Sequence, residues 1–117
     1  MRVSVREKRI RVGSELRGEV EHRVYSALGR FADVIRKVEV RLTDVNGPRG
    51  GIDKNARIVV LLKPAEEVFA EATDVTVMAA IDRTCYRVKR LVGRAVERRN
   101  EPPSTRNVRP NGSQKKE

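Results

Sequence analysis

Strict alternation opens the chain: Arg2-Val3-Ser4-Val5-Arg6 places two valines on one side and Arg2, Ser4 and Arg6 on the other, the period of a half-buried strand. From Leu16 the period lengthens. Leu16, Val20, Val24, Leu28, Phe31 and Ile35 recur at steps of three or four, the spacing of one helix face, with Ser14 as candidate N-cap. Gly18 and Gly29 each weaken such a helix by up to ~1 kcal/mol relative to alanine, so packing has to hold it in place. Alternation returns at Val38, Val40 and Leu42, and again at Ala56, Ile58, Val60 and Leu62, where Val59 and Leu61 leave the outer face partly apolar as well. Val68, Ala70 and Ala72 then alternate with Glu67, Phe69, Glu71 and Thr73. The short connection at Lys63-Pro64 makes these last two strands an antiparallel hairpin. Behind Thr76, a second candidate N-cap, Met78, Ile81, Cys85, Val88, Val92 and Ala95 repeat at helical spacing and predict the longest helix of the chain.

The resulting order, β-α-β-β-β-α, predicts an α+β fold. A strand-helix-strand unit makes the first two strands parallel through a right-handed crossover, which gives a four-stranded mixed sheet. Both helices are expected on one sheet face, because their apolar stripes need a common surface. A length of 117 residues allows one domain, placed here at residues 1–99. Residues 100–117 (NEPPSTRNVRPNGSQKKE) hold three prolines and almost no apolar side chains, the composition of a disordered basic tail. Asn46-Gly47-Pro48-Arg49-Gly50-Gly51 offers backbone N–H groups to a phosphate, but no Gly-Lys-Ser/Thr follows, so it reads as a strand connection.

Charge changes the picture. Lys and Arg number 26 against 16 Asp and Glu, a formal net charge of +10, which calls for an acidic polymer as partner. Net charge does not by itself separate RNA from DNA or from an anionic membrane. No apolar run approaches the ~20 residues of a membrane helix, and the start MRVSVREKRIRVG has no secretory apolar region, so the expectation is a soluble, cytoplasmic protein. One cysteine and one histidine exclude an internal disulfide and a zinc site of the usual Cys/His type, and no cofactor or metal is expected. His22 has no serine or cysteine near it in sequence to activate, Cys85 falls on a core step of the last helix, and the aspartates are scattered over turns and helix faces. No acid, base and electrophile come together, so the chain is not expected to be an enzyme. A small enzyme would return as a reading if turnover were lost in a single carboxylate or His22 mutant.

The placement of the charge is more informative than its sum. Arg83, Arg87, Arg90, Arg94 and Arg98 recur at helical steps, and at 100° per residue their mean direction lies roughly 150° from the apolar stripe. With Lys89 and Arg99 they face only Asp82 and Glu97 as acids between Val75 and Arg99. Arginine suits phosphate because its planar fork makes bidentate, charge-assisted bonds. A merely solvated face would mix signs, as the first helix does with Glu15, Glu19 and Glu21 beside Arg17, Arg23 and Arg30. Arg2, Arg6 and Lys8, with Arg9 and Arg11, form a second basic patch, for which a charge-guarded strand edge is an equal alternative. Tyr25, Phe31, Phe69 and Tyr86 do not make the strand pair on which an RRM stacks bases, so binding should follow backbone and shape. A general double-stranded RNA or DNA binder fits these features too.

The element order, the segment Met78-Ala79-Ala80-Ile81-Asp82 opening a long basic helix, and the loop Asp44-Val45-Asn46-Gly47-Pro48-Arg49-Gly50-Gly51 together resemble the ribosome hibernation promoting factor family, which includes the ribosome-associated translation inhibitors historically called sigma-factor modulation proteins. The resemblance covers about Arg2 to Arg99. It implies binding to the small ribosomal subunit at the decoding channel, where family members occupy space needed by messenger and transfer RNA. It also implies that Arg87, Arg90, Arg94 and Arg98 carry the contact, four residues that the helical wheel singles out independently. Thr76 stands where many members have an aspartate cap. Longer members append a C-terminal dimerisation domain, for which the residues after Asn100 have neither length nor apolar content, so a short-form monomer is expected.

Overall fold

The computed structural model describes residues 1–45 and 52–100. Along the chain lie β1 (Arg2–Lys8), α1 (Ser14–Leu28), a single 3-10 turn (Gly29–Phe31), β2 (Ile35–Asp44), β3 (Lys54–Leu62), β4 (Glu66–Asp74) and α2 (Val77–Arg99). The four strands form one sheet in the order β1-β2-β3-β4. β1 runs parallel to β2, as the intervening helix requires, and the other two pairings are antiparallel. The architecture is thus the expected α+β arrangement, with a mixed sheet and two helices on one face. The loop 46–51 and residues 101–117, read above as a strand connection and a tail, lie outside the described residues.

Alternation sends Val38, Val40 and Leu42 from β2 and Ala56, Ile58, Val60 and Leu62 from β3 to the helix side, where each is at most 1% exposed. Val20, Val24 and Leu28 of α1 and Ile81, Val88 and Val92 of α2 close over them with no exposure. Full burial of an aliphatic side chain of this size is worth roughly 1.5–3 kcal/mol. This core therefore outweighs the weak intrinsic propensity of a helix that carries Gly18. The expected cap on α2 is present: the Thr76 hydroxyl accepts a 3.0 Å hydrogen bond from the Ala79 N–H. Inside the same helix the fully buried Thr84 hydroxyl lies 3.1 Å from the Ala56 carbonyl oxygen of β3 and 2.7 Å from that of Ala80, a polar tie between helix and sheet.

Two features of the first helix differ from the sequence reading. Ser14 is already the first helical residue; extended Gly13 holds the N-cap position and supplies no side-chain bond. Ile35, one helical step beyond Phe31, belongs to β2 and pairs with Leu62. Between them the backbone tightens, with Ala32 N–H donating to Gly29 O and Val34 N–H to Phe31 O, both at 3.0 Å. Phe31 and Ile35 face the same core from different elements, so their spacing of four mimics a helix that ends at Leu28.

Beyond β1 the chain turns with Arg9 at φ 61°, the left-handed region that glycine adopts without a Cβ clash. Arg9→Gly is expected to raise stability by roughly 0.5–1 kcal/mol, since relief of that clash outweighs the added freedom of the unfolded chain. Urea titration of the two proteins measures it, and a loss of stability would show that the Arg9 side chain is needed at the turn.

Candidate nucleic-acid interface

Packing fixes where the basic row points. Because Ile81, Thr84, Cys85, Val88, Val92 and Ala95 are buried against the sheet and α1, residues Arg83, Arg87, Lys89, Arg90, Arg94 and Arg98 are all left exposed. The row runs beside β4, whose outer edge has no partner strand among the described residues. Its arginines are not equivalent. Arg83 donates to the Thr73 carbonyl oxygen at 3.0 Å and lies 3.5 Å from the Asp74 carboxylate, and Arg87 donates to the Glu71 carbonyl oxygen at 2.6 Å. Those bonds satisfy backbone acceptors on the sheet edge, which would otherwise invite a foreign strand. Near the end of the helix, Arg98 and Arg99 share Glu66 at 3.0 and 3.4 Å.

Arg90 and Arg94 are different. Neither forms an ion pair or hydrogen bond among the described residues, and Arg90 only rests on Tyr86, its guanidinium carbon 5.8 Å from the ring centroid. These three residues make a ridge between two open grooves. One, of about 870 Å³, lies between α2 and β4 and is lined by Ala70, Glu71, Arg83 and Arg87 as well as the ridge. The other, of about 600 Å³, lies between α2 and the Arg30-Phe31 turn and includes Lys89 and Glu97. An anionic strand laid along the ridge meets guanidinium donors on either side. The ion pairs it would displace, such as Arg98 with Glu66, are exposed and of a kind worth little in water.

Tyr86, 63% exposed, escaped the sequence reading, which weighed aromatics only as a strand pair. The helical wheel already puts it about 40° from Arg90. Arg2, Arg6 and Lys8 project from β1, the sheet edge opposite β4, so they do not join the α2 row. On the sheet surface away from the helices, Arg6 aligns instead with Arg41 of β2 and Arg57 of β3. Neither of those two stood out in the sequence, although alternation against buried Val40, Leu42, Ala56 and Ile58 turns both outward.

The candidates for chemistry behave as expected from the pattern. His22 is exposed. Cys85 is 7% exposed, and burial pushes its thiol up to about 11, with the nearby Asp82 carboxylate adding to the shift and Arg23 opposing it. The described residues contain no group of three or more metal-ligating side chains, and none of their helices is long and apolar enough to cross a membrane.

A β-α-β-β-β-α sheet with an arginine-lined helix along one edge defines the structural class. Residues 3–100 match the model of the sigma 54 modulation protein / S30EA ribosomal protein family, and the chain belongs to that family. Among solved structures it is similar to a ribosomal subunit interface protein from Coxiella burnetii, at 14% identity and a TM-score of 0.69, covering 83% of this chain and 99% of that one. It is also similar to the N-terminal domain of Protein Y from Thermus thermophilus, at 25% identity and a TM-score of 0.67, covering 80% of this chain and 98% of that one. Among curated protein sequences, none matches.

Cys85→Ala should leave nucleic-acid binding unchanged and lower stability by about 1 kcal/mol through a small void. Because the folded thiol holds its proton above the ordinary value of 9.0, wild-type stability should fall as pH rises from about 9 to about 11, and the alanine variant should lack that component. Denaturant midpoints across this pH range, beside RNA titrations, check both.

Proposed function

We propose that this chain binds ribosomal RNA of the small ribosomal subunit at the decoding channel and there inhibits translation sterically, as a monomer, in the cytoplasm and without catalysing a reaction. The observation that carries this reading is the ridge of Arg90 and Arg94 between two open grooves, flanked by Arg83, Arg87, Lys89 and Arg98, on a chain of the S30EA ribosomal protein family. The Coxiella relative is described as a ribosomal subunit interface protein, which agrees with it. Arg83 and Arg87 each spend one donor on β4, and a guanidinium has five N–H groups, so both can hold a phosphate while still guarding the edge. Arg2, Arg6 and Lys8 add positive field at the other end of the sheet and speed encounter with a polyanion.

The double reversal Arg90→Glu/Arg94→Glu is the direct test, because neither side chain has a structural bond to lose. It should abolish co-sedimentation with small subunits and relieve inhibition of cell-free translation, with an unchanged circular dichroism spectrum. In wild type, removing one phosphate contact should lower the log–log salt slope by roughly 0.7–0.9. Reversing Glu15, Glu19 and Glu21 on α1 to lysine is the control and should not impair binding. Equal affinity for naked duplex RNA and for small subunits would favour a general duplex binder, and unaltered translation inhibition by the arginine reversal would move the functional surface away from α2.

A further inference from the structure

The sheet surface opposite the helices holds an arrangement that folding does not favour. Strand register aligns Arg6 of β1 with Arg41 of β2, and Arg41 with Arg57 of β3. Three guanidinium side chains therefore stand in one cross-strand row, directly opposite one another, where like charges are destabilising. Compensation among the described residues is thin. Arg6 has no ion pair, Arg41 has Glu39 at 3.6 Å, and Arg57 has Glu71 at 3.9 Å. Glu39 is already engaged more closely by Lys37, at 3.0 Å. Arg57 is also held in place: its guanidinium lies over the exposed Phe69 ring, 4.3 Å from the centroid, and its buried Nε has no hydrogen-bond acceptor.

We infer that this row is a second phosphate-binding surface, which holds a separate segment of RNA while α2 holds the first. A single acidic residue at position 41 would have made the row alternate in sign, so a run of arginine there opposes local stability and fits an anion that comes from outside. The phosphodiester backbone supplies acceptors along a line, matching a row that crosses three strands, and the guanidinium fork binds them bidentately. The chain's own C-terminal segment does not fit as the cover, since Arg106, Arg109, Lys115 and Lys116 outnumber Glu101 and Glu117 in it. β1 and β4 are opposite edges of the sheet, and the α2 row lies on the helix side, so one strand of nucleic acid following α2 does not also lie flat on this row. With both surfaces occupied, the protein clamps two RNA segments. This rests on the proposed function in taking RNA as the polyanion.

Stoichiometry with a short RNA duplex separates the two surfaces. Wild type is expected to bind two duplexes per chain at low salt, by analytical ultracentrifugation. Arg41→Glu should bind one, while its melting temperature rises by a few degrees, because the row then alternates in sign. Arg11→Glu, an exposed reversal of equal charge outside the row, should keep two. One duplex on wild type, or two on Arg41→Glu, overturns the second surface and leaves the α2 reading intact. Two duplexes on Arg90→Glu/Arg94→Glu would instead sink the α2 reading. Self-association of the RNA-free protein that Arg41→Glu abolishes would show that the row is covered by a second copy, and would also overturn the inference.

Discussion

The arrangement of the whole molecule depends on how α2 lies on β3 and β4. Ile81, Val88 and Val92 on one side of the helix and Ile58, Val60 and Ala70 on the sheet form a single apolar contact, sealed from water. Rotation of the helix about its axis would carry arginine into that contact, at the heavy desolvation cost of an unpaired charge. The buried Thr84 hydroxyl, between the carbonyl oxygens of Ala56 and Ala80, adds a directional tie that dispersion alone does not supply. Once the apolar row is fixed, the basic row has a single place to go: outward, along the edge of β4.

That position gives the arginines two roles. An edge strand presents unpaired carbonyl groups, and Arg83 and Arg87 cap those of Thr73 and Glu71. Lysine would do this less well, since a guanidinium that donates to one carbonyl still presents a planar array of further donors. Protection of the edge and recognition of phosphate are thus compatible in one side chain. Arg90 and Arg94, set between the grooves with no protein acceptor among the described residues, carry the part of the surface for which folding has no use. Tyr86 beneath Arg90 gives this ridge an aromatic face, so contact with an unpaired base is available beside contact with phosphate.

The first helix shows the opposite pattern and so serves as an internal comparison. Its charges are spent within the fold: Arg17 reaches Glu7 at 2.6 Å and the Val5 carbonyl oxygen at 2.9 Å, and Arg23 pairs with Asp82 across the two helices. A net charge of +10 is therefore distributed unevenly, with acids answering bases on α1 and leaving them largely unanswered on the α2 ridge and on the open sheet face. Self-repulsion from those surfaces lowers the stability of the isolated protein and raises the rate at which it meets a polyanion.

Periodicity alone determined the elements, their order and most of the core, because burial selects side chains at a spacing of two in a strand and 3.6 in a helix. The outward α2 row followed from the same geometry, as did the Thr76 cap and the buried Cys85. Where two elements meet, spacing misleads: Phe31 and Ile35 share a core without sharing a helix, and Gly13 rather than Ser14 stands at the start of α1. Tertiary structure alone decided which arginines are spent on the fold, since the carbonyl groups of Thr73 and Glu71 reach Arg83 and Arg87 only when α2 lies on β4. It alone aligned Arg6, Arg41 and Arg57, which stand far apart in sequence. A single strand's pattern tells which face a residue occupies, but its neighbours across the sheet are set by register, and register comes from packing the whole core at once.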